Sequence, residues 1–244
     1  MFDKYVLVTG ASSGIGRAIL KKYVELGHTV IAVSRDYEKL VNQNFEYGSS
    51  VIPFSADLCE LDSIEKLFFE LKERKIKLDI IVHCAGVTVN SPLRANSPEE
   101  MERMFRINTG AFAEICRFAS SKKYANNGAS IVALSSTSSF VGCKGLSMYA
   151  ASKAAINSLV KSFSIELSSR EIRVNAIAPS YTETPMLDMT RNDIPDLDAM
   201  ISNVQPFGII DPNNLAEIVE FLTSEKARYI TGAIIPVGAG NTCW

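Results

Sequence analysis

Histidine is nearly absent. Only His28 and His83 occur among 244 residues, which excludes a histidine-rich metal site, so no metal is expected. Cysteine shows no paired pattern. Cys59, Cys84, Cys116, Cys143 and Cys243 are odd in number and scattered, which predicts free thiols in a reducing, cytoplasmic setting. No apolar run approaches the ~20 residues that span a bilayer. No charged leader with a following apolar stretch precedes the first strand-like segment, so no secretory signal is expected. An excess of one charge is lacking too. The formal net charge is −2, which gives no reason to expect a nucleic-acid partner or an anionic membrane surface.

What the chain does have is core material. Apolar residues make up 47% and charged residues 21%, ample for one domain over residues 1–244. Its organising stretch lies near the start. Lys4-Tyr5-Val6-Leu7-Val8-Thr9 reads as a short buried strand. Gly10-Ala11-Ser12-Ser13-Gly14-Ile15-Gly16 follows, then a run with Ile15, Ile19, Tyr23 and Leu26 on one helical side. Strand, glycine-rich turn and helix together make a dinucleotide-site candidate. Gly10 closes the turn, Gly14 admits a pyrophosphate, and Gly16 lets helix pack on strand. The helix start offers N–H groups to phosphate. The spacing is T-G-x-x-x-G-x-G rather than G-x-G-x-x-G, so the motif alone also fits a merely tight strand–helix connection.

A second strand runs over Val30–Val33 and ends in Ser34-Arg35-Asp36. An acidic residue at this strand end suits the 2′-OH of NAD, and an arginine suits the 2′-phosphate of NADP. Ser34 and Arg35 lean to NADP, while Asp36, one place on, keeps NAD open; a solvated Arg–Asp turn is the plainer reading. Strands are also expected over 51–56, 78–83, 128–134, 172–178 and 231–237, with helices over about 63–75, from Pro98 onward, 148–169 and 215–223. Periodicity weakens between about 185 and 212, the candidate lid or substrate loop. Seven strands separated mostly by helices predict a doubly wound α/β fold, a seven-stranded parallel sheet with helices on both faces. Ligands then sit beyond the strands' carboxyl ends, where Gly10–Gly16, Asp57, Cys84–Gly86, Ser135–Ser136 and Pro179–Thr184 converge.

Over essentially its whole length the chain resembles the short-chain dehydrogenase/reductase family. The resemblance is carried by Thr9-Gly10-Ala11-Ser12-Ser13-Gly14-Ile15-Gly16, by Tyr149-Ala150-Ala151-Ser152-Lys153, and by Ser136 thirteen residues before the tyrosine. It implies a Rossmann-type fold and catalytic roles for Asn108, Ser136, Tyr149 and Lys153. It also implies cofactor contacts from Gly10, Ser12, Ser13, Gly14, Ile15, Gly16, Ser34, Arg35, Asp57, Leu58, Cys84, Ala85, Gly86, Tyr149, Lys153, Pro179, Thr182 and Thr184. The residues depart from the family pattern in places. His83-Cys84-Ala85-Gly86 stands for Asn-Asn-Ala-Gly, Ser180 for a glycine, and Gly238-Ala239-Gly240 for Asp-Gly-Gly. Ser13 takes the place of a basic residue usual in NADP enzymes, which leaves the NADP reading to Arg35.

Tyr149 and Lys153 stand at i and i+4, on one helix face. A nearby ammonium is expected to lower the tyrosine pKa, fitting it to exchange a proton with a carbonyl oxygen held by Ser136. Asn108 is expected to hold a relay water, although residue pattern alone fits a structural role equally. The expected activity is NADP(H)-dependent reduction of a ketone or aldehyde. The alternatives are NAD(H)-dependent oxidation of a secondary alcohol and a non-catalytic nucleotide-binding or scaffold protein. The resemblance extends to 3-oxoacyl-carrier-protein reductases, but no residue selects that substrate. Val87, Ser91, Phe140, Lys144, Met148, Tyr181, Met186 and Leu187 are expected to line the cleft. A homotetramer is implied, with a dimer also compatible, its interface formed by the helices around Asn108 and Tyr149.

Overall fold

The computed structural model describes residues 3–241; Cys243 and Trp244 lie outside the described residues. Seven strands form one sheet: β1 Tyr5–Thr9, β2 Thr29–Ser34, β3 Val51–Ser55, β4 Leu78–His83, β5 Ala125–Leu134, β6 Arg173–Pro179 and β7 Ile234–Val237. Their order is β3-β2-β1-β4-β5-β6-β7, and every pair is parallel. Successive strand side chains point to opposite faces, so a strand covered on both sides must be apolar throughout. Leu7 joins Phe68, Phe112 and Ile156 on one face, while Val6 and Val8 join Ile19 and Leu215 on the other. Each such aliphatic side chain contributes about 1.5–3 kcal/mol on burial.

The first face is covered by α3 Leu61–Glu73, α5 Ala111–Ala119 and α6 Ser147–Glu166, the second by α1 Gly14–Glu25, α2 Tyr37–Tyr47 and α9 Pro212–Thr223. Between β3 and β5 the chain also forms α4 Pro98–Phe105, opened by a reciprocal Ser97–Glu100 capping box. The sheet's order reverses between β1 and β4, and a crevice opens there at the carboxyl ends.

Four local features differ from the sequence expectation. The helix α2 was not foreseen; only Leu40 gives it a buried apolar anchor among its described side chains. The helix opened by Pro98 is not continuous, because Arg106–Gly110 makes a π turn between α4 and α5. The weakly periodic stretch is two short helices, α7 Pro185–Asp193 and α8 Leu197–Val204, whose Leu187, Leu197 and Ile201 form a small core of their own. The last strand starts at Ile234 rather than 231, because side chains interrupt the ladder: Val174 N donates to Thr231 Oγ1 and Ala233 N to Asn175 Oδ1, while Gly232 N still donates to Val174 O.

Candidate active site

β1 ends at Thr9, whose hydroxyl accepts from Ala85 N at 3.2 Å and pairs with His83 Nδ1 at 3.0 Å. These bonds tie the carboxyl ends of β1 and β4 together. Gly10 then turns with φ +67°, where a Cβ would stand 2.9 Å from Ala85 N. A Cβ on Gly16 would stand 2.2 Å from Gly10 O, so α1 lies directly on the turn. No side chain caps α1, and its first turn carries no carboxylate, which leaves the helix end suited to phosphate.

Beside this turn lies a cavity of about 160 Å³, lined by Gly10, Ser12, Ser13, Ser34, Arg35, Asp57, Leu58, Ala85 and Gly86, and also by Val87. Ser34 donates to Ser12 across it at 2.8 Å. Arg35 is exposed at its edge. Asp36 does not line it. That carboxylate accepts from Lys39 N at 3.1 Å and meets Lys39 Nζ at 3.2 Å, so it caps α2, and these bonds hold its pKa below the ordinary value.

A larger cavity of about 400 Å³ adjoins it, with Ile15, Cys84, Gly86, Pro179, Thr182 and Thr184 on one side and Ser136, Tyr149 and Lys153 on another. Three residues of the expected set line neither cavity. Gly14 packs against Thr184, Gly16 against Gly10, and Asn108 stands behind Val87. Among the expected cleft residues, Lys144, Tyr181, Met186 and Leu187 line the larger cavity and Val87 the smaller. Ser91, Phe140 and Met148 line neither: Ser91 N is bonded to Gly145 O, Phe140 is half exposed, and Met148 is turned about 100° from Tyr149 around α6.

Tyr149 and Lys153 sit one turn apart on α6. The Lys153 ammonium lies 5.7 Å from the tyrosine ring centre and donates to Leu134 O at 2.7 Å. Burial lowers its pKa to about 8. Burial also pushes the Tyr149 phenol above its ordinary 10.0, while a hydrogen bond with Ser136 pulls it down. The net direction for the phenol is upward, opposite to the lowering expected from the ammonium, because burial outweighs the Ser136 hydrogen bond. Ser136 Oγ accepts from Ser138 N at 3.2 Å and Ser138 Oγ at 2.9 Å, so its own proton is available to the Tyr149 oxygen or to a carbonyl.

The Asn108 amide is almost fully used. Oδ1 accepts from Val87 N at 2.8 Å, and Nδ2 donates to Val87 O at 3.0 Å and Ser152 Oγ at 2.9 Å. Both amide protons are engaged, so the side chain clamps the loop after β4, and a relay water there would donate to an oxygen of Asn108. Ser180 adopts ordinary backbone angles in place of a glycine, and its hydroxyl accepts from Asn241 at 2.6 Å. Ser138, Thr88 and Asn90 also line the larger cavity and were not foreseen. Ser138 acts through a 3-10 turn at Thr137–Ser139 that leaves no spacing signal, and Thr88 and Asn90 lie in a loop without one.

Among the described residues, no group of three or more His, Cys, Asp or Glu could hold a metal, and no helix is long and apolar enough to cross a membrane. The family model described as enoyl-(acyl carrier protein) reductase matches residues 10–242. A 3-oxoacyl-[acyl-carrier-protein] reductase from Thermotoga maritima is 29% identical over 97% of both chains. Versicolorin reductase from Emericella nidulans is 33% identical over 97% of this chain and 95% of its own. Among solved structures, a 4-hydroxyisoleucine dehydrogenase complexed with NADH superposes with a TM-score of 0.91 at 26% identity, covering 99% of this chain and 100% of that one. Matched along its whole length in both sequence and fold, the chain belongs to the short-chain dehydrogenase/reductase family of NAD(P)-dependent oxidoreductases.

Proposed function

We propose that the enzyme reduces a ketone or aldehyde to the alcohol, reversibly, with NADP(H) as the preferred cofactor. The supporting observation is at the end of β2, where Arg35 lines the small cavity while Asp36 is committed to α2 and Lys39. A guanidinium there suits a 2′-phosphate, and the neighbouring carboxylate of Asp36 is turned to the start of α2. The residues suit a dinucleotide: the small hydroxyls of Ser12 and Ser34 and the start of α1 would hold its adenosine half and pyrophosphate, and Lys153 would hold a ribose hydroxyl. When bound, the nicotinamide donates or accepts hydride.

The chain's own residues handle the carbonyl and its proton. Ser136, oriented by Ser138, donates to the substrate oxygen. Tyr149, kept protonated by burial, delivers the proton in reduction and takes it back in oxidation. Asn108 fixes the Val87 peptide that borders the cofactor. A homo-oligomer and a small-molecule substrate complete the reading. NAD(H)-linked oxidation of a secondary alcohol is the second reading, favoured by the NADH in the 4-hydroxyisoleucine dehydrogenase structure.

Titration of the purified protein with NADPH and NADH, followed by fluorescence, separates the two. We expect NADPH to bind about tenfold or more tightly, about 1.4 kcal/mol, and Arg35→Ala to narrow the difference. Tighter binding of NADH overturns the NADP assignment.

A further inference from the structure

The larger cavity is mainly apolar where the segment after β6 lines it. Met186 and Leu187 from α7, Leu197 and Met200 from α8, and Leu146 and Tyr181 line it. Among the described residues, no aspartate, glutamate or arginine lines it. Its two lysines are Lys153, buried beside Tyr149, and Lys144, exposed on the loop before α6.

The cover over that wall is acidic. From Glu183 to Asp198 the chain carries five carboxylates, Glu183, Asp188, Asp193, Asp196 and Asp198, and a single cation, Arg191. Arg191 is held by three of them, at 2.6 Å from Glu183, 2.9 Å from Asp188 and 3.1 Å from Asp198. Its charge is thereby spent inside the cover. A substrate bearing a carboxylate or phosphate would approach an excess of negative charge and then enter a space where only Lys144 could answer it. A buried anion without a partner loses its hydration uncompensated. An apolar body loses nothing there and gains contact with α7 and α8.

We infer that the substrate is a neutral carbonyl compound with an apolar body, taken up free, and that carboxylate-bearing carbonyls and acyl groups carried on phosphopantetheine are disfavoured. The inference rests on the reading of Ser136 and Tyr149 as the pair that receives the carbonyl.

Two matched pairs test it. One is 4-phenylbutan-2-one against 4-(3-oxobutyl)benzoate, which share the reacting ketone and ring and differ in a remote carboxylate. The other is S-acetoacetyl-pantetheine against S-acetoacetyl-4′-phosphopantetheine, which share the thioester and the arm and differ in the terminal phosphate. We expect kcat/KM with NADPH to be at least tenfold higher for the neutral member of each pair, mainly through KM. The double variant Asp188→Asn/Asp198→Asn, which releases Arg191 from two partners, should narrow the gap at least threefold. Equal or better use of the charged members overturns the inference.

Binding of the same four compounds to the NADP⁺-loaded enzyme, followed by saturation-transfer NMR, separates this inference from the reading beneath it. Neutral members bound and charged members unbound, with no turnover of any, would uphold the substrate class and overturn carbonyl reduction. Charged members bound as well, or no neutral member bound, would overturn the substrate class.

Discussion

Burial raises the Tyr149 phenol above its ordinary 10.0, and Ser136 has a proton to give because Ser138 occupies its lone pairs. Tyr149→Phe removes the transferable proton and little else. It should lower kcat by about 10²–10⁴-fold, the usual contribution of general acid–base catalysis, while NADPH affinity measured by fluorescence stays within about threefold. Retained turnover would remove Tyr149 from the chemistry. His83 makes a second residue-scale prediction. Thr9 Oγ1 accepts from Ala85 N, so its own proton goes to His83 Nδ1, and His83 carries its proton on Nε2, which is buried without a regular partner near the carbonyls of Ile107 and Asn108. Burial lowers its pKa from 6.5 to about 3. Between those values the unfolded chain binds a proton that the folded chain refuses, so stability falls as pH falls below 6.5. His83→Asn should lose less stability than wild type between pH 7 and pH 5 in urea unfolding; equal losses would assign the acid sensitivity elsewhere. Ser136, Tyr149 and Lys153 were legible through the family resemblance that their spacing carries, and the structure brings the three to one cavity. Ser138 was not, because its role depends on a turn, and the task of Asn108 was half legible, since the sequence shows an asparagine among apolar neighbours but not the Val87 peptide it clamps.

At the scale of elements, legibility followed length and burial. The strands were readable because their apolar runs are buried on both faces. The π turn was not, because it is held by tertiary contacts: Asn108 reaches Val87 and Ser152, and Thr109 Oγ1 donates to Ser152 O at 2.9 Å. The helices α7 and α8 are nine and eight residues long, too short to repeat a period, although Thr184 and Pro185 already spell a cap and a first turn. What fastens this cover is Gln205, fully buried at the end of α8. Its Oε1 accepts from Tyr181 N at 3.2 Å, and its Nε2 donates to Tyr181 O at 2.9 Å and Gly208 O at 2.6 Å. The bonds fix α8 to the segment after β6 that lines the active site. Gln205→Ala leaves those groups without partners, at a cost of about 1–3 kcal/mol, and loosens the cover. Thermal unfolding should show the loss, and steady-state kinetics should show KM rising more than kcat falls. An unchanged KM would mean that the cover's position does not govern substrate binding.

At the scale of the whole molecule, α6 is where fold and site meet. Its inner side buries Ser152, Lys153, Ile156 and Val160, and its outer side exposes Ala151, Ala154, Ser158, Lys161 and Ile165. The small residues Ala151, Ala154 and Ser158 at the start of that stripe would let a second helix come close. The family resemblance implies an oligomer with this helix in its interface, where a partner would provide a second cover. If a second copy supplies it, the helix carrying Tyr149 and Lys153 is braced by the partner, and activity depends on association. Ala154→Arg places a long charged side chain in that stripe without touching the inner face. Sedimentation velocity should shift this variant to a smaller species than wild type. Its activity should fall with dilution over a range where the wild-type activity per site stays constant. Wild-type protein that sediments as a monomer at micromolar concentration would remove the partner from the argument and leave α6 braced by the sheet alone.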